Sequence, residues 1–332
     1  MKKETLNTIA KRTGYSITTI SRVLSGSASK YRISKATCDA VVAEAHRCNY
    51  VPGSSAQMLR TAKSGMVGLL VPSLSNPFFA EMAGVVVTEL RRQGFTTIVI
   101  DAMESEDNML EGVKTLIQRQ VEGIITIPCG DDALALERLA KQTPVVTIDR
   151  YYENTTLPFV TTNNYQGGLD GTNKLIARGH RRIACIQGAK DSMPSRERVR
   201  GYLDAMSAAG LADNCLVTGN DFTIQNGYLE TKLLLSSEDR PTAIFALSNT
   251  ILLGSLKALN ESSVKIPSEM ALLSFDDNIF MEYLTPSIAR ISQPTADMAT
   301  LAVKILLDKM AGKPGINSQI KLSPNFIQGD SM

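Results

Sequence analysis

From Met66 onward the chain repeats one pattern that few folds can satisfy: a short apolar run, a turn, an amphipathic helix, then another apolar run. The runs MVGLLVP, TTIVID, VEGIITIP and PVVTID alternate with FFAEMAGVVVTELRRQGF, MLEGVKTLIQRQ and DALALERLAKQ. A second series follows. In it RRIACIQG, TAIFAL and MALLSFDD alternate with GGLDGTNKLIARGH, SRERVRGYLDAMSAAG, GYLETKLLLSS and TILLGSLKALNES. A strand that is apolar on both faces must be covered on both, and parallel neighbours need a helical crossover. The expected class is therefore α/β, with two lobes, each a doubly wound parallel sheet.

The first 63 residues do not follow this pattern. They hold eleven Lys and Arg against three acidic residues, a net +8 in a chain of net +2, which leaves the remainder at −6. A basic head on an acidic body is the electrostatic footprint of a nucleic-acid contact. The head's periodicity predicts three short all-α segments. Thr5 caps the first, with Leu6, Ile9 and Ala10 on one face, and Gly14 ends it in a tight turn. Ser16 caps the second, with Ile17, Ile20, Val23 and Leu24; 26–30 is a loop. Ser34 caps the third, with Ala36, Ala40, Val41, Ala45 and Cys48 on one face. Two helices joined by a short turn containing Gly make a helix-turn-helix. The expected organisation is a DNA-binding domain at 1–49, a Pro/Gly/Ser-containing linker at 50–63, and a body at 64–332.

Enzyme and cofactor motifs are missing from the sequence. There is no G-x-G-x-x-G after a strand, no G-x-x-x-x-G-K-[ST] and no G-x-S-x-G. GGLDGTN reads instead as a helix start packed closely on a neighbour. The two histidines, His46 and His180, stand in no triad or metal-ligand spacing. The five scattered cysteines suit a reducing compartment better than a disulfide framework or a zinc site. No run of about 18 apolar residues exists, and the basic N-terminus lacks the apolar core of a secretory signal. A cytoplasmic protein without cofactor or metal, and not an enzyme, is expected.

Open parallel sheets bind ligands beyond the carboxyl ends of their strands. In this chain those ends carry SLSNPFF, Asp101, Asp149 and Arg150 in the first series. In the second they carry Ser248, Asn249, Asp276 and Asp277, with SRER (Arg196, Arg198) nearby. Carboxylates and guanidinium groups bond vicinal hydroxyls in pairs, and phenylalanine faces pack on the apolar side of a sugar ring.

Taken in order, TLNTIAKRTGYSITTISRVLSG, YRIS, NYVP, GLLVPSLSNPFFAEM, IDR, GHRRIACIQG, LSFDD and ISQP resemble the lactose/galactose-repressor family of bacterial transcription regulators along the whole chain. The resemblance implies a helix-turn-helix head, a hinge helix and a two-lobed body like the periplasmic sugar-binding proteins. It further implies three crossings between lobes, near Thr161–Asn164, Arg290–Pro294 and Ser318–Leu322. Lobe one would take about 64–162 and 293–319, and lobe two about 163–292 and 320–332.

By resemblance, Ser16–Leu24 is the recognition helix. Ile17 and Thr18 occupy base-contacting positions, Ser16, Thr19 and Ser21 suit phosphates, and Arg22 suits a guanine edge. Thr5 joins the DNA-binding set. Leu59 matches the hinge residue that wedges into the minor groove, and Ala56 the position a turn earlier. Phe78, Phe79, Arg198, Asp276 and Gln293 match effector positions. Three departures stand out. Gly53 and Gln57 replace the hinge's usual Asn and Arg, and Ser248-Asn249 replaces the usual Asn-Asp.

The implied function is a homodimeric repressor that binds near-palindromic double-stranded DNA and answers to a small effector, by resemblance a carbohydrate. A protein co-regulator in place of the small molecule is the alternative. A periplasmic sugar-binding protein would explain only the body, and a dehydrogenase or sugar enzyme lacks its motifs.

Overall fold

The computed structural model describes residues 4–50, 63–131, 133–313 and 318–332. These residues fall into two compact units, Met1–Ser64 and Gly65–Met332.

In the first unit, α1 (Leu6–Thr13), α2 (Ile17–Leu24) and α3 (Lys35–Arg47) enclose a small core of Ile9, Ile20, Val23, Val41 and Ala45. Each helix starts on a hydroxyl cap. Thr5 accepts from the Thr8 N–H, Ser16 from Thr19, and Ser34 from Thr37. Gly14 closes α1 at φ 74°, donating its N–H to the Ala10 carbonyl. That conformation costs a glycine little because it has no Cβ. Two expectations need correction. The face of α3 turned to the core carries Cys38, Val41, Ala45 and Cys48, whereas Ala36 and Ala40 are exposed. The branched Val41 sets the buried stripe, and small alanines are indifferent to it. The stretch after Gly26 is not all loop, since Ser29–Tyr31 form a turn of 3-10 helix.

The second unit holds two six-stranded sheets. The first contains β1 (Met66–Val71), β2 (Thr96–Asp101), β3 (Gly123–Thr126), β4 (Val145–Ile148), β5 (Phe159–Thr162) and β11 (Gln319–Leu322), in the order β11-β5-β4-β3-β1-β2. All its pairings are parallel. The second contains β6 (Ile183–Ile186), β7 (Leu216–Thr218), β8 (Ala243–Ala246), β9 (Ala271–Phe275), β10 (Ala289–Ser292) and β12 (Asn325–Ile327), in the order β12-β10-β9-β8-β6-β7. Only β12 runs antiparallel there.

The intervening helices are α4 (Pro77–Arg92), α5 (Glu106–Gln118), α6 (Ala133–Leu139), α7 (Asn164–Ala177), α8 (Met193–Ala208), α9 (Ile224–Ser236), α10 (Asn249–Glu261), α11 (Phe280–Tyr283) and α12 (Thr295–Met310). They cover both faces of each sheet, giving two buried clusters per sheet. No helix among the described residues is long and apolar enough to cross a membrane.

The chain passes between the sheets three times, after β5, after β10 and after β11. α12 then returns to the first sheet, where Met298, Ala299, Ala302 and Val303 pack beside Phe79, Met82 and Val86 of α4. The last passage lies later than expected. Residues 320–322 pair with Val160–Thr162 of β5, so they belong to the first sheet and the crossing falls at Ser323-Pro324.

The glycine-rich start of α7 does what its composition suggests. A Cβ on Gly168 would lie 2.2 Å from the Arg198 carbonyl oxygen, and one on Gly201 2.2 Å from that of Tyr165. Only paired glycines let α7 and α8 approach this closely, and the approach sets the height of Arg198 above the second sheet.

Candidate effector site and nucleic-acid interface

In the basic unit, α2 presents Ile17 outward with 46% of its surface exposed, away from the core face that Ile20 and Val23 fill. Thr18 and Ser21 are exposed beside it. The Ser16 hydroxyl accepts from the Thr19 N–H at 3.1 Å and lies 2.9 Å from the Thr19 hydroxyl. The Arg22 guanidinium stacks 3.7 Å above the Tyr31 ring, which fixes its plane while leaving its N–H edges free to turn outward. Tyr31, itself 45% exposed, is a partner that periodicity alone does not mark. Thr5 is exposed, but its hydroxyl and N–H are both engaged with Thr8 in a capping box. Arg12 bridges Glu4 and Glu44 and Arg47 pairs with Glu44, whereas Lys11, Lys30, Arg32 and Lys35 are exposed. Ala56, Leu59, Gly53 and Gln57 lie outside the described residues.

In the body, a small cavity is lined by Asn76, Phe78, Phe79, Asp149, Arg150, Pro194, Arg198, Phe222, Ser248, Asp276 and Gln293. The residues come from the carboxyl ends of both sheets. Asn76 caps α4 and is followed by Pro77, an arrangement that turns Phe78 and Phe79 inward with their rings 5.5 Å apart, edge to face. Asp149 follows β4 at φ 65°, and Asp276 follows β9 at φ 72°. Both adopt a left-handed backbone that aspartate tolerates better than most residues.

The polar groups are balanced but incompletely paired. Arg198 donates from Nε to Asn164 at 2.8 Å and from Nη1 to the Leu247 carbonyl at 2.7 Å, with its plane 3.7 Å over Phe275. Its Nη2 stands 3.8 Å from Asp276 Oδ1, too far for a hydrogen bond and close enough for a ligand hydroxyl to bridge. Asp276 Oδ1 accepts from Gln293 Nε2 at 2.7 Å. Asp149 Oδ1 and Gln293 Oε1 are buried acceptors without a protein donor among the described residues. Such orphans are costly in a finished core, and at a ligand site they mark where donors are missing.

Burial pushes the Asp149 carboxyl up to about 6; Arg150 and Arg198 pull the other way, and Asp276 and Glu104 add to the rise. Burial also lowers the Arg198 pKa, opposed by Asp276 and Asp149. For Arg150 burial works against the charge too, but the Glu104 carboxylate outweighs it and raises the pKa.

Three sequence candidates stand elsewhere. Asp101 ends β2, the edge strand farthest from β11, and its carboxylate accepts from the Leu74 and Met103 N–H groups. Arg196 lies on the outer side of α8, bonded to the Asp191 carbonyl and 3.5 Å from Glu153. Asn249 is buried beyond the lining. It reaches the site only through its main-chain N–H, 3.3 Å from Asp276 Oδ2, and its amide is unpaired among the described residues. Ser248 does line the cavity, but its hydroxyl caps α10 and meets Thr250 at 2.9 Å. It therefore offers the ligand little beyond its methylene. Asn76 lies within the SLSNPFF stretch read as a ligand-facing strand end, whereas Pro194 and Phe222 join the lining without having been expected.

A helix-turn-helix unit followed by two crossed-over parallel sheets with a polar cavity at their carboxyl ends defines a class: regulators that join a DNA-binding head to a small-molecule sensor. Comparison places the chain within that class. Residues 5–53 match the family described as bacterial regulatory proteins, lacI family, and residues 172–332 match a periplasmic binding protein-like domain. A ribose operon repressor of Halalkalibacterium halodurans is 30% identical over 310 residues, covering 93% of this chain and 91% of the relative. A LacI family regulator from Enterococcus faecium, solved with bound ribose, is 25% identical with a TM-score of 0.73, covering 80% of this chain and 98% of that one. The Lac repressor dimer bound to operator and the anti-inducer ONPF shares the fold over 99% of both chains, with a TM-score of 0.89 at 21% identity. The chain belongs to the lacI family of bacterial regulatory proteins.

Proposed function

We propose that this protein is a cytoplasmic, homodimeric repressor of transcription, not an enzyme, whose operator affinity is set by a neutral monosaccharide of pentose size. Residues 1–49 serve as the DNA-binding head, 50–63 as the hinge and 64–332 as the effector and dimerisation domain. Ile17 and Thr18 face base edges, Thr5, Ser16, Thr19 and Ser21 face phosphates, and Arg22 reads a guanine. Ala56 and Leu59 act in the hinge.

The observation that carries the effector reading is the unfilled hydrogen-bonding around the cavity. Asp149 Oδ1 and Gln293 Oε1 await donors, and Arg198 Nη2 stands 3.8 Å short of Asp276. A polyol supplies hydroxyls that both donate and accept, while its C–H face packs on Phe78, Phe79 and Phe222. Ribose is favoured among pentoses by the ribose-named relative and the ribose-bound neighbour.

Calorimetric titration of the full chain with ribose, other pentoses and hexoses tests this. Saturable one-site binding of a pentose, lost in Asp276→Ala, is expected. Binding of no sugar, with DNA affinity governed instead by a protein partner, would overturn it.

A further inference from the structure

We propose that Glu104 sets the ligand specificity of the cavity, making it a charge filter that admits neutral sugars and rejects their phosphorylated forms. The inference rests on the sugar reading above and adds to it a residue outside the lining.

Arg150 is the cavity cation whose charge is met by a carboxylate outside the lining. Its Nη1 donates to Glu104 Oε2 at 2.8 Å and to the Pro128 carbonyl at 3.4 Å, and its Nη2 donates to Glu104 Oε1 at 3.2 Å. A guanidinium has five N–H groups in a fixed fork. Glu104 and Pro128 occupy three, and the remaining fork of Nε–H and one Nη2–H suits two hydroxyl oxygens. Glu104 therefore cancels the charge of Arg150 and aims its open edge at the same time.

The backbone around Glu104 is built to hold it there. Met103 and Glu104 both have φ 52°, a left-handed conformation that non-glycine residues seldom adopt twice in succession. The turn is pinned by the Glu104 N–H on the Pro72 carbonyl at 2.7 Å. Asp101 pins it further by accepting from Met103 N–H and Leu74 N–H, each at 2.9 Å. Glu104 stands in an adjoining hollow that shares Arg150 and Phe222 with the cavity described above. With this pair closed, the three carboxylates of Asp149, Asp276 and Glu104 face the two guanidinium groups of Arg150 and Arg198, a net −1 that repels a phosphate dianion. Removing the Glu104 charge brings the count to zero, lifts that repulsion and frees the Arg150 fork for a phosphate.

The test is calorimetry near neutral pH with D-ribose and D-ribose 5-phosphate on the wild type, Glu104→Gln and Glu104→Asp, each first checked by its melting curve. The wild type is expected to bind ribose and not its phosphate. In Glu104→Gln the preference should shift toward the phosphate by on the order of tenfold or more. Glu104→Asp, which keeps the charge, should still reject the phosphate. An unchanged preference in Glu104→Gln overturns the proposal, as does admission of the phosphate by Glu104→Asp. A wild type that binds no neutral sugar defeats the sugar reading itself, and the filter with it.

Discussion

At the residue scale, Asp149 should make the proposed effector site sensitive to pH. Its carboxyl is pushed up to about 6 from an ordinary 3.8, chiefly by burial. Sugar hydroxyls that donate to Asp149 Oδ1 favour the ionised form, so sugar affinity should be full above that value and fall as pH drops through it. Between neutral pH and about pH 5 the loss should be roughly tenfold, one proton per site. In the sugar-free protein the sign reverses: the buried carboxylate costs stability that is recovered as pH falls from about 6 toward 3.8. Calorimetry across that range checks both, and Asp149→Asn should bind weakly with a flat profile. In the head, Arg22→Ala should cost about 1–3 kcal/mol of discrimination at one base pair per half-site. A gel-shift against operator variants reads it, and unchanged discrimination would remove Arg22 from the base-reading set.

At the element scale, the position of Arg198 depends on how closely α7 and α8 pack. In Gly168→Ala the new Cβ would sit 2.2 Å from the Arg198 carbonyl, a main-chain atom that cannot swing aside. The helices must separate, at a cost of about 1–3 kcal/mol. Sugar affinity should fall with the melting temperature, whereas Gly84→Ala, mid-helix in α4 with open space around it, should leave sugar affinity unchanged and raise the melting temperature slightly.

Elements are also where the sequence was most and least legible. The long helices and buried strands announce themselves by period and by apolar runs. The edge strand β7, only Leu216–Thr218, carries no such run, and the crossing strands β5, β10 and β11 could be placed only as passages between lobes. The cavity was legible as far as strand ends specify it. Asp149 and Asp276 follow central strands and face inward, but Asp101 follows the edge strand β2 and serves its own loop. Arg196 and Arg198 are two residues apart on one helix, about 200° around its axis, so only one can face the ligand. Which one does is decided by the packing of α8 on α7, a three-dimensional fact. Phe222 enters from the loop before α9, where no period operates.

At the scale of the whole molecule, the head's +8 should make operator binding fall steeply with salt, because phosphate contacts release counterions. A twofold dimer should select a near-palindrome. A linear fall of log affinity with log salt, measured on the selected site, checks the first expectation. The central claim is that one ligand-dependent equilibrium joins the cavity to the head. Sugar can shift that equilibrium only by binding one arrangement of the two sheets better than the other. Linkage then requires operator DNA to change sugar affinity by the same factor that sugar changes operator affinity.

The direct measurement is fluorescence anisotropy of a labelled, selected operator titrated with the full chain at saturating and at zero ribose, paired with calorimetry of ribose on free and operator-bound protein. The account predicts equal factors from the two experiments and no ribose effect on the operator affinity of Asp276→Ala. Operator affinity that ribose leaves unchanged in a wild type that demonstrably binds it, or an undiminished ribose response in Asp276→Ala, would contradict it.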